Sequence, residues 1–362
     1  MNRMDRRVKV VILMVMMMVV MMVMGCNSGG VAGGEGAAGG GGRGGSLSEV
    51  LLEVGRSAEN AFYAFIELMS DTLGLRVTQD TKKNAVGEYF NNLGDKLGKA
   101  SDELEQVAVK SEANVDKDVL LSKAIKEVVN AAKTTLNKLK ENLESLKDIG
   151  DANQKVGVAT SNSQGAKPDD GELKKAYKAF KGIVEEAGKV GVEKLEVGNT
   201  TLNNAKDNKE GAKILSTNDS DKPSSADDSG KAAAILLTVS GKEMLASIVE
   251  SKEGDQALSV NADGSTTAMS FARGTNGNHL GQAHTPKAAA LAAGIALRSL
   301  IKTGTLASHS GKDNEAAQAI GVSATNKLLR ALEDIIKKTV KNVLEKVKEE
   351  VDKAREPKAA VK

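Results

Sequence analysis

The residue with the clearest chemical potential is Cys26, the only cysteine among 362 residues. A basic segment (1–9), a wholly apolar segment (10–24) and Gly25 precede it, and this is the order of a secretory signal with its small cleavage-site residue. Cleavage between Gly25 and Cys26 would free an amine for acylation, and the thiol would carry a diacylglycerol. We therefore predict that Cys26 is the lipid attachment site.

Two alternatives to lipidation are a plain signal peptide and an uncleaved anchor. The apolar segment has 15 residues, fewer than the roughly 20 that span a bilayer. Val23 and Gly25 suit a lipoprotein cleavage site, whereas Met24 is bulkier than the usual alanine or serine.

Other residue types with chemical potential lack the spacing that catalysis or metal binding needs. His279, His284 and His309 lie in polar segments without cysteine ligands or an HExxH pair, so we interpret them as solvated loop residues. No GxSxG motif is present, and carboxylates alternate with lysines at the i,i+4 spacing of exposed helix faces. The sequence therefore predicts no enzyme, no metal and no cofactor.

Composition argues against nucleic-acid binding. Without residues 1–25 the chain has 46 Lys+Arg and 47 Asp+Glu, so it presents no overall positive field to a phosphate backbone. Tryptophan is absent and aromatic residues make up 2% of the chain, which leaves few surfaces for base stacking. We expect no nucleic-acid partner.

The segments that follow Cys26 are a tether and a series of helices. Residues 26–45 are glycine-rich without an apolar period, as in a flexible linker. Ser46 and Glu49 form a capping-box pattern at the start of the folded part. Apolar residues at three- and four-residue steps then predict helices at 46–74, 84–110, 117–149, 172–190, 231–251, 287–302 and 314–355.

Three polar segments separate these helices. Residues 150–170, 198–230 and 254–284 are rich in Asn, Ser, Asp, Lys and Gly, so we predict loops. The third contains Asp263-Gly264, a turn signal that allows at most a short strand pair.

The helix predicted at 287–302 is apolar on nearly all sides. Arg298 and Ser299 are its chief interruptions, and such a helix is buried in a core. Thr285 is a candidate cap, with Pro286 at the first helical position. The last predicted helix, 314–355, carries a 3-4 apolar seam for packing against other helices.

Three long stretches are distinctive: SLSEVLLEVGRSAENAFYAFIELMSDTLGLRVT (46–78), KAAALAAGIALRSLIKTG (287–304) and NKLLRALEDIIKKTVKNVLEKVKEEVDKAREPK (326–358). Together with the lipoprotein signal and the glycine-rich tether, they resemble the variable large protein family of relapsing-fever Borrelia and the related VlsE surface lipoproteins. The resemblance implies an all-α, elongated helical bundle over 46–356, with its polar loops at the membrane-distal end and a short tail at 357–362.

The same resemblance implies a function. It indicates a lipid-anchored protein of the cell outer membrane, a surface antigen recognised by host antibodies and replaced allele by allele. We expect the loops at 150–170, 198–230 and 254–284 to be the variable segments that carry the epitopes, because polar loops tolerate sequence change. An adhesin that binds a host ligand is the main alternative, and an exported enzyme or solute-binding protein is a third. The sequence leaves open whether the chain forms a homodimer.

Overall fold

The computed structural model describes residue 56 and residues 74–112, 119–203, 207–275 and 277–355. The chain divides into residues 1–44 and 45–362, and everything described here belongs to the second unit. The predicted lipid site, the tether and nearly all of the first predicted helix lie outside the described residues. Within them the protein is built from helices, and backbone pairing consists of isolated bridges rather than strands. The predicted all-α class is confirmed.

Two long helices, α1 (Lys83–Glu112) and α2 (Val119–Glu144), form an antiparallel hairpin. Their apolar stripes are buried, and Lys133 of α2 pairs with Glu105 of α1 at 2.8 Å. Gly87 allows α1 to approach the turn that follows α2, since a Cβ there would lie 2.0 Å from the carbonyl oxygen of Lys147. Helix α2 ends five residues before the predicted end at residue 149, and turns carry the chain onward.

Helix α3 (Asp170–Lys189) packs against α2 and against the last helix of the chain. Asp169 caps its first turn by accepting a hydrogen bond from the backbone nitrogen of Glu172 at 2.9 Å. Its apolar face buries Leu173, Phe180 and Ile183. The predicted helix at 172–190 is confirmed to within two residues at each end.

The helix predicted at 231–251 is wrong as a single element. The structure has two helices, α4 (Ala226–Leu237) and α5 (Gly241–Glu250), with a bend of 92° between them. Ser240 and Glu243 form a capping box that starts α5. A capping box satisfies free backbone donors at a new N-terminus, so the second helix begins there.

Two predicted loops contain helical turns, of which η1 and α6 are largely buried. The 198–230 segment holds the 3₁₀ helices η1 (Lys209–Leu215) and η2 (Asp219–Asp221), and the 254–284 segment holds α6 (Ala268–Arg273) and α7 (Gly277–Leu280). All six residues of α6 are buried. The described part of this segment has no strand pair near Asp263, and the predicted turn forms at Gly264 and Ser265, closed by a hydrogen bond from Thr266 to the Asp263 carbonyl at 3.1 Å.

Helix α8 (Ala288–Leu300) is the central helix, and all thirteen of its residues are buried. It contacts α5, α6 and the long last helix α9 (Asp313–Arg355). The predicted cap is wrong: Lys287 is the N-cap residue, without a side-chain cap bond. Pro286 instead accepts a backbone hydrogen bond from Leu202 at 3.1 Å.

No single helix of the described ranges is long and apolar enough to cross a membrane. The pair α4 and α5 meets the length and composition criterion only when both helices are taken together across their bend.

Candidate functional site

The structure does not bring the predicted site residues together. Cys26 and Gly25 lie outside the described residues. The Nδ1 atom of each histidine has its own neighbour: Asn261 Oδ1 at 3.0 Å for His279, Asp207 Oδ1 at 3.5 Å for His284 and Ser310 Oγ at 3.2 Å for His309. Among the described residues, no group of three or more His, Cys, Asp or Glu could hold a metal ion.

The tertiary fold joins parts of the three polar segments into one surface, which we call the polar face: residues 158–166, 217–222, 252–262 and 275. Gly165 donates its backbone hydrogen to Ser216 at 2.9 Å, and Lys222 Nζ donates to the Asn162 carbonyl at 2.9 Å. Thr217 donates to the Thr275 carbonyl at 2.8 Å. These bonds cross more than 50 residues of sequence and join 158–166 to 217–222 and to Thr275, while Ala257 of 252–262 lines a groove with them.

An open groove of about 630 Å³ lies in the polar face. Its lining comes from residues 164–167, 217–218, 257 and 273–275. Arg273 is the buried cation at its wall, and Lys167 is exposed at its rim. The groove is open to solvent rather than enclosed, and it brings together no nucleophile and base of the kind that catalysis needs.

Arg273 ties the polar face to helix α3. Its Nε and Nη2 atoms donate to Asp170 Oδ1 at 3.0 and 2.6 Å, and its guanidinium also donates to the carbonyl of Asp255. The hydrogen bond from Lys174, followed by that from Arg273, holds the pKa of Asp170 below its usual value. The burial of Arg273 could not be predicted from the sequence, because an arginine in a polar segment carries no signal of burial.

A pair of buried cations lies at the C-terminal end of α8. Lys83 and Arg298 are both fully buried. Lys83 Nζ donates to the carbonyl oxygens of Gly304 at 2.5 Å and Ile301 at 2.8 Å, and Arg298 Nε donates to the carbonyl of Ala272 at 2.9 Å. Burial lowers the pKa of Lys83 to about 7 and that of Arg298 to about 9.

Only part of this cation pair was visible in the sequence. Arg298 stood out as a charge within an apolar helix, whereas Lys83 is adjacent to Lys82 and the sequence does not show which of the two is buried.

Known proteins match this chain over most of its length. A family model described as Borrelia lipoprotein matches residues 58–351. Variable large protein 18 of Borrelia hermsii is 61% identical over 317 residues, covering 87% of each chain. Variable large protein 21 of the same organism is 58% identical over 320 residues, covering 87% of this chain and 86% of the relative.

A solved structure shares the fold. The Lyme disease variable surface antigen VlsE of Borrelia burgdorferi matches with a TM-score of 0.66 and 23% identity, over 84% of this chain and 98% of VlsE. At that identity the likeness concerns the fold, and it agrees with the helical architecture described above. Together with the sequence matches over most of its length, this places the chain in the variable large protein family of Borrelia lipoproteins.

Proposed function

We propose that this chain is a lipid-anchored outer-surface antigen whose exposed polar residues differ between alleles, so that switching the expressed allele lets the bacterium evade host antibody. The observation that carries the proposal is the identity of 61% and 58% to two variable large proteins over almost the whole chain. Antigenic variation and immune evasion are the function that this membership supports, and no catalytic role is needed for it.

The proposed layout assigns a role to each part of the chain. Residues 1–25 act as the signal peptide, and cleavage between Gly25 and Cys26 leaves Cys26 to carry the S-diacylglycerol and the N-acyl chain. Residues 26–45 form the tether, 46–356 the antigen domain and 357–362 the tail. Several acyl chains on one cysteine bind a bilayer far more firmly than the marginal binding of a single chain, which supports anchoring at the cell exterior.

The polar face is where we place the variable epitopes. Its exposed residues include Ser161, Gln164 and Ser259, and their side chains lie outside the core. Substitutions at such positions change stability by about 0.5 kcal/mol or less. An antibody footprint buries about 800 Å² on each partner, so one antibody would contact more than one of the polar segments.

The predicted variable segments 198–230 and 254–284 also contain core residues, so variation cannot extend over the whole of either segment. Leu215 and Phe271 lie inside two of the predicted variable segments, and both side chains are fully buried. Replacing a buried leucine or phenylalanine by a smaller residue costs about 2–5 kcal/mol. We therefore assign variation to the exposed positions of each segment rather than to the whole segment.

Sequencing the expressed allele before and after antibody pressure tests the proposal. A bacterial population exposed to antibody against this chain should switch to a different allele, with substitutions concentrated in the polar face. An unchanged expressed sequence in the surviving population would contradict it. Saturable binding of the purified protein to a host matrix or plasma protein would instead favour the adhesin alternative.

The anchor has its own test. A Cys26→Ser variant should lose incorporation of labelled fatty acid and be released from the membrane, while the neighbouring Ser28→Ala variant should retain both properties. Label retained by Cys26→Ser would overturn the lipid assignment without affecting the family membership.

A further inference from the structure

Buried hydrogen bonds join the C-terminal end of α8 to two other segments of the chain. Lys302 donates its backbone hydrogen to Ile149 at 2.8 Å, and Leu306 donates to Val158 at 2.9 Å. Gly157 donates to Ser299 at 3.1 Å. We call this region, residues 81–83, 149–158 and 298–306, the α8 joint. Lys83 lies at its centre, because its side chain reaches carbonyl groups that follow the last turn of α8.

Of the charged side chains in the α8 joint, Lys83 and Arg298 are the two that are fully buried, and Asp151 is the single carboxylate. Neither Lys83 nor Arg298 forms an ion pair among the residues that the structure describes. The Nη1 and Nη2 atoms of Arg298 have no hydrogen-bond acceptor there. Placing one unpaired charge in a protein interior is costly, and a second charge of the same sign adds repulsion.

The hydrogen bonds of Lys83 can be kept in large part by a neutral amine. Its Nζ atom has three carbonyl acceptors, Gly304 O at 2.5 Å, Ile301 O at 2.8 Å and Arg298 O at 3.4 Å. An ammonium donates to all three, whereas a neutral amine has two N–H groups, so deprotonation gives up only the longest contact.

The neighbouring charges act in opposite directions. Asp151 favours the ammonium form of Lys83, and Arg298 disfavours it, with desolvation as the largest influence. The other charged side chains on these segments have partners elsewhere, since Lys155 pairs with Asp80 at 2.8 Å and Lys302 with Glu172 at 3.7 Å. Lys82 is exposed to solvent.

We propose that Lys83 makes the α8 joint proton-sensitive: the joint is closed while Lys83 is neutral, and protonation beside Arg298 loosens the segments that Lys83 holds together. Opening exposes Lys83 to water and restores the ordinary lysine pKa of 10.5, against about 7 in the closed joint. The open state therefore binds more protons between these two values, so raising the pH across this window favours the closed state.

Hydrogen exchange of the intact protein measures this opening. After correction for intrinsic exchange rates, the amides of Gly157, Lys302 and Leu306 should be protected on the order of 50-fold to 100-fold more at pH 9 than at pH 6.5. The reason is that an opening step coupled to one proton changes its equilibrium constant by up to about tenfold per pH unit. Amides in the middle of α3 serve as the internal reference. Equal corrected protection at both pH values would overturn the proposal.

Two variants separate a proton-linked role from a merely structural one. Lys83→Met should remove the pH dependence, whereas Lys82→Met, which changes the exposed neighbour, should keep it. Loss of the dependence in Lys82→Met or its retention in Lys83→Met would contradict the assignment.

A direct titration keeps the proposal testable if Lys83→Met does not fold. In the wild-type protein with ¹³Cε-labelled lysines, one lysine signal should titrate near neutral pH, and Asp151→Asn should move its midpoint downward because an attractive charge is lost. Titration of every lysine above pH 10 would refute the proposal.

Discussion

Lys327 Nζ lies 2.7 Å from the carbonyl oxygen of Val239 and 2.6 Å from that of Leu236, so a side chain from the middle of α9 caps the C-terminus of α4. The last carbonyls of a helix have no partner within the helix, and a lysine supplies both hydrogen bonds and a favourable charge. The same contact fixes the bend between α4 and α5, which the apolar pattern alone did not show.

Removal of this cap should destabilise the protein. We expect Lys327→Met to lower the free energy of unfolding by about 2–3 kcal/mol, because hydrogen bonds that involve a charged group contribute about 1.5–3 kcal/mol. Urea denaturation measures the change. Lys337→Met on the exposed side of α9 is the control and should stay within about 0.5 kcal/mol of wild type. Equal losses in the two variants would refute the capping role.

The bend also depends on close backbone contact at Gly241. A Cβ at this position would lie 2.0 Å from the carbonyl oxygen of Lys327, so Gly241→Ala must displace one helix. We expect a loss of about 1–3 kcal/mol, as for overpacked cores.

Gly230→Ala provides the matched control for this substitution. A Cβ at Gly230 meets nothing within 4 Å, and the position lies within α4. Alanine is favoured over glycine in a helix by about 1 kcal/mol, so Gly230→Ala should leave the thermal unfolding midpoint unchanged or higher. A higher unfolding midpoint for Gly241→Ala than for Gly230→Ala would show that the bend does not require close backbone contact at Gly241.

Acid should weaken the attachment of the polar face to α3. The Lys174 and Arg273 hydrogen bonds hold the pKa of Asp170 below 3.8 in the folded protein, whereas the unfolded chain has the ordinary value. The stabilisation is therefore complete above that ordinary value and is lost as the pH falls through it toward the folded-state pKa. Unfolding midpoints of wild type and Asp170→Asn, compared at pH 7 and pH 3, should converge at the lower pH. A constant difference would contradict the linkage.

Burial should hide α8 from antibodies. Antibodies raised against a peptide of residues 288–300 should bind the urea-denatured protein more than about tenfold better than the native protein. Binding to the native protein requires local opening, and each 1.4 kcal/mol of opening free energy lowers the affinity about tenfold. Antibodies against exposed residues 256–261 should bind both states. Strong native binding by the first antibodies would show that α8 is accessible.

The sequence by itself determined the long helices and the family. Strict 3-4 apolar spacing predicted α9 and α3 nearly to the residue, and the apolar run at 287–302 predicted a buried helix, because burial of an apolar face is the main source of helix stability in proteins. The long stretches quoted above were sufficient to indicate the variable large proteins, and the matches to relatives confirm them.

Only the tertiary structure decided which polar residues are buried and which loops meet. Leu215 and Phe271 lie in segments too polar to show a helical period, yet both contribute to the core because neighbouring helices cover them. Lys83, Arg298 and Lys327 are ordinary charged residues in the sequence. Their positions depend on free carbonyl groups at the ends of helices that are distant along the chain, and only long-range packing brings those groups within hydrogen-bonding distance.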